Sequence, residues 1–86
     1  MYQAIFSSKA EKVFLKLDQR VAKKVAAATK KLENNPRVYG TIKLENAPVA
    51  SYRFRVGNFR ILFDIDDQKK VIEILDIRKR DEKTYR

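Results

Sequence analysis

The chain contains no cysteine and no histidine among its 86 residues. The missing cysteine excludes disulfide bonds and thiolate chemistry, and the missing histidine removes the commonest general base and a usual zinc ligand. We therefore expect neither a metal ion nor a cofactor. Any catalysis by this chain has to use arginine, lysine, tyrosine or carboxylate side chains.

Long apolar runs are also absent, since no stretch approaches the length that spans a bilayer. The N-terminus has no signal-like pattern, which favours a cytoplasmic location. The length suits a single small domain over residues 1–86 and leaves no room for two cores. With 44% hydrophobic and 36% charged residues, the composition is typical of a globular chain and not of a disordered one.

Negative charge is scarce in this chain. Lysine and arginine number 20 against 11 aspartate and glutamate residues, which gives a net charge of +9 and a pI near 10.0. Such an excess predicts polyanionic partners. We rank nucleic acid first and an acidic protein second. An anionic membrane surface comes last, because no helix combines a strong basic face with exposed aromatic residues.

Residues 52–63 form two alternating runs joined by Gly57-Asn58, a pattern typical of a β-hairpin. Glycine tolerates positive φ freely and asparagine tolerates it next best, so the pair predicts a two-residue turn of the primed type. This turn sets the register, in which Arg55 lies opposite Arg60 on one face. The other face is apolar and consists of Tyr52, Phe54, Val56, Phe59, Ile61 and Phe63.

Arg53, Arg55 and Arg60 share the polar face of this hairpin. Like charges that face each other across a ladder oppose folding by roughly 1 kcal/mol in full solvent, and an anion held between them would reverse that sign. No acidic residue occurs from position 46 to position 63, so the hairpin has no carboxylate of its own to neutralise the cluster. The pattern favours an anion site over the alternative, in which these are solvated arginines on the wet face of a half-buried sheet.

The N-terminal half contains the patterns of one strand and two helices. Residues 2–6 are short, aromatic and roughly alternating, and they predict a first strand. Ser8 and Glu11 have the spacing of a capping box, which predicts that a first helix begins there. Asp18 is expected to cap a second, amphipathic helix over residues 19–33, which the following Asn-Asn-Pro sequence ends.

The C-terminal half begins with residues 37–50, which lack clear periodicity and predict a loop with a short extended piece around 41–44. After the hairpin, residues 66–69 form a polar turn, and residues 71–77 are apolar at both odd and even positions. That pattern is typical of an inner strand covered on both faces. The last residues, 78–86, form a highly charged tail.

These elements predict an α+β fold, ordered as an N-terminal strand, a two-helix hairpin and a three-stranded antiparallel meander. Both helices are expected to pack on one face of the sheet, against the apolar side of the hairpin. Arg53, Arg55 and Arg60 would then lie on the uncovered face of the sheet.

The hairpin sequence at 52–63, the Ile-Arg-Lys-Arg ending at 77–80 and the following Tyr85 resemble the RelE/ParE toxin superfamily. The similarity covers essentially the whole chain. It implies a RelE-like fold and a toxin of a type II toxin–antitoxin system, held inactive by a cognate acidic, RelB-like antitoxin. RelE-like members are ribosome-dependent endoribonucleases that cut mRNA in the ribosomal A site, whereas ParE-like members have the same fold and poison DNA gyrase.

The resemblance also implies roles for individual residues. The catalytic residues that it suggests are Arg55, Arg60, Arg80 and Tyr85. RNA contacts are expected from Arg53, Lys43, Arg78 and Lys79. Arginine can donate two parallel hydrogen bonds to a phosphate, so Arg55, Arg60 and Arg80 would stabilise the charge that develops when the 2′-OH of RNA attacks phosphorus. The chain departs from the RelE pattern in having Arg53 and Arg55 at lysine positions. The spacing from Arg80 to Tyr85 is also one residue shorter than in the RelE pattern.

The identity of the general base stays open. Arginine remains protonated in proteins and cannot accept the proton. Tyr85 could act as the base or stack on a base of the mRNA, and Lys43 and Glu45 are weaker candidates. A ribosome that already positions the strand would also permit cleavage without a dedicated base. The alternatives to a nuclease are a gyrase poison and a non-catalytic nucleic-acid-binding module. Arg60, Arg80 and Tyr85 match positions of the RelE pattern, and this match favours a nuclease over a gyrase poison.

Overall fold

The computed structural model describes residues 1–45 and 49–79 of the chain. Its elements are, in order, β1 Gln3–Phe6, α1 Ser8–Lys16, α2 Gln19–Asn34, β2 Thr41–Lys43, β3 Tyr52–Val56, β4 Phe59–Asp66 and β5 Val71–Lys79. Arg80 and Tyr85, to which the resemblance assigns catalytic roles, lie outside the described residues.

The five strands of the described residues form one sheet in the order β1-β5-β4-β3-β2. β1 pairs with β5 in parallel, and the other neighbours are antiparallel. The predicted α+β fold is confirmed, but within these residues the meander has four strands instead of three. The additional strand, β2, is the extended piece predicted around 41–44, in which the β-branched residues Thr41 and Ile42 suit pairing with β3.

The hairpin of β3 and β4 has the predicted register. Val56 faces Phe59, and Arg55 faces Arg60. Gly57 has a φ of +57°, while the next residue of the turn does not take positive φ. Positive φ at the first central residue alone is the pattern of a type II′ turn, one of the two primed types that match the twist of the strands.

Both helices pack on one face of the sheet, as predicted. The buried core that they share with the sheet consists of Ala10, Val25, Ala28, Leu32, Phe54, Ile61, Phe63, Ile72, Ile74 and Ile77. Tyr52, Val56 and Phe59 of the hairpin pack against this core. The apolar stripes of the helices therefore meet the apolar face of the hairpin. Among the described residues, no helix covers the opposite face, which we call the open face.

The two helix N-termini have different capping residues. At α2, Asp18 Oδ1 accepts a hydrogen bond from the amide three residues further on, at 3.1 Å, as predicted. At α1 the predicted cap is wrong by one position, because Ser7 and not Ser8 accepts the hydrogen bond of the Ala10 amide, at 3.1 Å. The Ser7 hydroxyl also donates to the Leu75 carbonyl at 3.0 Å. This tertiary contact, which no local pattern contains, selects between the adjacent serines.

β5 contains a β-bulge next to the start of α1. Asp76 and Ile74 pair with consecutive residues of β4, so Leu75 between them has no partner there. The bulge shifts the alternation of the strand by one position, which is why its apolar residues occupy both parities in the sequence. The prediction of a strand covered on both faces is therefore wrong. β5 is an inner strand, but Glu73 on the open face is exposed.

Candidate functional site

Three arginines stand side by side across neighbouring strands. Arg55 of β3 pairs with Arg60 of β4, and Arg60 pairs in turn with Arg78 of β5. Neighbouring strands lie about 4.8 Å apart, so the three side chains leave adjacent positions on one surface. We call Arg55, Arg60 and Arg78 the arginine row. It contains both arginines that were predicted to face each other and adds a third from a distant part of the chain.

The arginine row lies on the open face of the sheet. The residues that neighbour its members in sequence and point to the other face are buried, namely Phe54, Ile61 and Ile77. Arg55 and Arg78 are exposed, and Arg60 is half-buried. Arg53 lies on the same face, one alternation along β3, opposite Leu62. Four cations thus share one end of the open face.

The β-bulge decides which residues of β5 reach the open face. Without it, the register at the start of the strand would continue and place Arg78 opposite Phe59, a residue that packs on the core. With the bulge, Arg78 lies opposite Arg60. The third member of the arginine row therefore depends on one unpaired residue, Leu75.

A buried carboxylate adjoins the arginine row. Oδ2 of Asp76 accepts a hydrogen bond from Arg78 Nε at 2.8 Å, and Oδ1 accepts one from the Ile77 amide at 2.8 Å. Lys9 Nζ of α1 lies 3.4 Å from Oδ2. Burial alone would raise the pKa of Asp76, but the two hydrogen bonds and Lys9 outweigh it and hold the pKa below its ordinary value. Asp76 is therefore charged and neutralises part of the row.

Sequence reasoning missed Asp76 and Lys9, because it considered only carboxylates close to the hairpin in sequence. The signal that could have found Asp76 is an acidic residue inside an otherwise apolar strand. Such a residue is rarely buried unless it is paired. No local signal links Lys9 to it, since Lys9 comes from the start of α1.

Three other predicted site residues that the structure describes lie away from the arginine row. Lys43 and Lys79 each pair with an aromatic residue of the apolar hairpin face, so both lysines leave the sheet on the side of the helices. Glu45 is exposed beyond the end of β2. Arg80 and Tyr85 lie outside the described residues. Of the four predicted RNA contacts, Arg78 is a member of the row and Arg53 lies on the same open face.

A second arginine–aspartate pair lies beyond the far end of β4. Nη1 and Nη2 of Arg37 donate to the two oxygens of Asp67 at 3.1 and 2.9 Å, and the Tyr2 hydroxyl donates to the same carboxylate. The hydrogen bonds from Arg37 and Tyr2 lower the pKa of Asp67 to about 2. These contacts join the loop after α2 and the N-terminus to the turn between β4 and β5.

Residues 1–45 and 49–79 contain no group of three histidine, cysteine, aspartate or glutamate side chains that could hold a metal ion. None of the helices in these residues is long and apolar enough to cross a membrane.

The arginine row can bind a phosphate group but offers little for proton transfer. Guanidinium groups donate in a planar fork that matches phosphate oxygens, and they stay protonated. The adjoining carboxylate, Asp76, is a weak base because donors hold it and lower its pKa. The described site therefore suits anion binding and the stabilisation of developing negative charge.

Comparison with known proteins yields one family and a set of similar folds. The family described as "ParE toxin of type II toxin-antitoxin system, parDE" matches this chain over residues 4–84. No curated protein matches the chain in sequence.

Several solved structures are similar to this chain. The toxin–antitoxin complex RelBE2 from Mycobacterium tuberculosis contains a chain with 25% identity and a TM-score of 0.81, covering 92% of this chain and 98% of that one. The RelE–RelB complex from Pyrococcus horikoshii gives 25% identity, a TM-score of 0.78 and coverage of 94% and 97%. The isolated RelE toxin from E. coli gives 21% identity, a TM-score of 0.81 and coverage of 95% and 87%, which supports the fold alone.

Proposed function

This chain belongs to the family of ParE toxins of type II toxin–antitoxin systems, within the RelE/ParE superfamily, and we propose that it is a ribosome-dependent endoribonuclease that cleaves mRNA in the ribosomal A site. The observation that carries the proposal is the arginine row, in which three guanidinium groups share one surface without helix cover. Each nucleotide of RNA offers this surface a phosphate, and arginine binds phosphate oxygens in pairs. The net charge of +9 adds attraction for RNA at longer range.

In the proposed reaction, which needs no metal, the 2′-oxygen of one nucleotide attacks the adjacent phosphorus and the bond from phosphorus to the 5′-oxygen breaks. The 2′-OH gives its proton to a base, and the departing 5′-oxygen takes up a proton. Arg55, Arg60 and Arg80 stabilise the negative charge on the phosphorane. A preorganised donor of this kind contributes on the order of 3 to 4 kcal/mol to the barrier. Arg53 binds a neighbouring phosphate and sets the position of the strand.

Tyr85 or a group of the ribosome is the proton acceptor in this proposal. Arginine is always protonated, and Asp76 is engaged by Arg78, so neither suits the task. Tyr85→Phe separates proton transfer from stacking, because phenylalanine retains the ring and lacks the hydroxyl. A cleavage rate that falls in Tyr85→Phe assigns proton transfer to Tyr85. A rate that falls only in Tyr85→Ala assigns stacking.

The proposal includes an acidic antitoxin as the partner. Two of the solved structures similar to this chain are a toxin–antitoxin complex and a RelE–RelB complex. A chain with a net charge of +9 would attract an acidic partner and associate with it rapidly. Production of the chain alone should arrest growth, and co-production with its antitoxin should restore growth and yield a stable complex. Unimpeded growth without a partner would contradict the toxin assignment.

A gyrase-directed toxin is the second candidate function, favoured by the description of the matching family as ParE. Inducing the chain in cells and mapping mRNA 5′ ends beside a DNA-damage reporter separates the two candidates. A nuclease creates new ends at defined codons inside coding regions and leaves the reporter silent. A gyrase poison activates the reporter and creates no such ends. A non-catalytic binding module does neither.

A further inference from the structure

We propose that Asp76 is a positioning residue of the arginine row: it holds Arg78 by a single nitrogen and leaves the rest of that guanidinium for an RNA phosphate. The inference rests on the proposed function, because it concerns a residue that acts on RNA through the row. Asp76 itself does not contact the substrate in this proposal.

The pair combines a buried acceptor with an exposed donor. The Asp76 side chain is 4% exposed, whereas the Arg78 side chain is 51% exposed. Nε of Arg78 is bound to Asp76 Oδ2 at 2.8 Å, and within the described residues Nη1 and Nη2 make no hydrogen bond. Attachment through Nε sets the direction of the guanidinium group and keeps its two terminal donors available.

Asp76 is itself held in place from two sides. Its second oxygen accepts the Ile77 amide, which restrains rotation of the carboxylate. The bulge beside it is bound to the start of α1, because the Ser7 amide donates to the Ile74 carbonyl at 2.9 Å and the Ser7 hydroxyl donates to the Leu75 carbonyl at 3.0 Å. A continuous series of contacts thus runs from the cap of α1 to the arginine row.

Two possible roles of Asp76 predict opposite effects of removing its charge. If Asp76 only reduces the positive charge of the row, Asp76→Asn strengthens the attraction for RNA and leaves cleavage unchanged or faster. If Asp76 positions Arg78, the same substitution weakens cleavage although the net charge becomes more positive. Asparagine has nearly the same shape and can still accept the Ile77 amide, so the comparison changes mainly the hold on Arg78.

The test compares Asp76→Asn, Arg78→Gln and the double variant with the wild-type full chain. The readouts are single-turnover cleavage of mRNA on programmed ribosomes, affinity for a short single-stranded RNA, and the thermal midpoint. The cleavage rate of each single variant should be about tenfold to about a hundredfold lower than that of wild type. The double variant should lose no more than Arg78→Gln, because Asp76 acts through Arg78. A merely structural role would show as a lowered thermal midpoint and would not give this non-additivity.

Lys9→Gln is the matched control, since the Lys9 side chain contacts the same carboxylate and is 67% exposed. It removes a charge partner of Asp76 and leaves the bond to Arg78 in place. Cleavage should stay within about twofold of wild type, as expected for an exposed charge. A loss as large as that of Asp76→Asn would overturn the assignment of Arg78 as the group through which Asp76 acts.

The outcomes separate this inference from the proposed function. Wild-type cleavage in Asp76→Asn, or multiplied losses in the double variant, overturns the inference alone. If the wild-type chain binds RNA without cleaving it, the proposed function fails. The RNA affinities of the same variants then test the inference in place of their cleavage rates. A chain that neither binds nor cleaves RNA overturns both.

Arg78→Lys covers the case in which Asp76→Asn does not fold. Lysine keeps the positive charge and can pair with Asp76, but it lacks the two terminal nitrogens of arginine. The inference predicts a folded Arg78→Lys variant with a loss of cleavage similar to that of Arg78→Gln. A folded variant with wild-type cleavage would overturn it.

Discussion

Two arginine–aspartate pairs in this chain use the same residue types in different ways. Between Arg37 and Asp67, both terminal nitrogens of the arginine bind both oxygens of the carboxylate, at 3.1 and 2.9 Å. Between Arg78 and Asp76, one bond of 2.8 Å joins Nε to one oxygen. The terminal nitrogens of Arg37 bind a carboxylate of the protein, whereas within residues 1–45 and 49–79 the terminal nitrogens of Arg78 make no hydrogen bond.

The two carboxylates also differ in exposure. The Asp67 side chain is 54% exposed, and the Asp76 side chain is 4% exposed. Exposed ion pairs generally contribute little to stability, whereas a buried carboxylate has to be compensated by its neighbours. The first pair joins a loop to a turn, and the carboxylate of the second lies beside the arginine row on the same face of the sheet.

The largest expected difference is in the cleavage rate, between a variant that lacks a member of the arginine row and a variant that lacks the arginine bound to Asp67. Arg60→Ala should lower single-turnover cleavage on programmed ribosomes by roughly a hundredfold or more, because the phosphorane loses a preorganised donor. Arg37→Ala should leave cleavage nearly unchanged and lower the thermal midpoint slightly. Arg20→Ala, on the exposed surface of α2, controls for the loss of one positive charge. Equal losses of cleavage in all three variants would mean that the net charge alone determines the cleavage rate.

The hairpin and its pair of facing arginines could be predicted because they depend on local patterns. Alternating residues and a Gly-Asn turn fix which side chains share a face within a short stretch of chain. The observed pairs Arg55 with Arg60 and Val56 with Phe59 follow from these patterns. The same reasoning places Arg53 on the open face.

The third arginine of the row could not be predicted from a local pattern. Strict alternation along β5 places Arg78 on the core side, and the bulge at Leu75 reverses this. The bulge is bound to Ser7, which is 68 positions away in sequence. The same contact explains why the helix cap is assigned to the wrong serine. The errors at Ser8 and in β5 thus both involve the contact between Ser7 and the bulge.

A smaller effect is expected from the contact that links α1 to the bulge. Ser7→Ala removes both the cap of α1 and the donor to the Leu75 carbonyl, and should destabilise the fold by about 1 to 2 kcal/mol. Ser8→Ala is the matched control, because Ser8 is exposed and does not cap the helix. Urea unfolding of both variants measures the difference. A larger loss in Ser8→Ala would contradict the assigned cap.

The smallest expected effect concerns the pH dependence of the exposed pair. The pKa of Asp67 falls from 3.8 to about 2 in the folded chain, mainly through its hydrogen bond with Arg37. Its contribution to stability is therefore fully present above pH 3.8 and is lost as the pH falls towards 2. The difference in thermal midpoint between wild type and Asp67→Asn should shrink over this range. Arg37→Ala should show the same trend, and a difference that grows on acidification would contradict the sign.

The central claim is tested most directly with purified full-length chain on two substrates in parallel. One reaction contains ribosomes programmed with a defined codon in the A site, and the other contains DNA gyrase with supercoiled plasmid. We predict mRNA cleavage that requires the ribosome and the arginine row, with gyrase unaffected. Intact mRNA together with gyrase-dependent breaks in the plasmid would contradict it and assign the row to a different target.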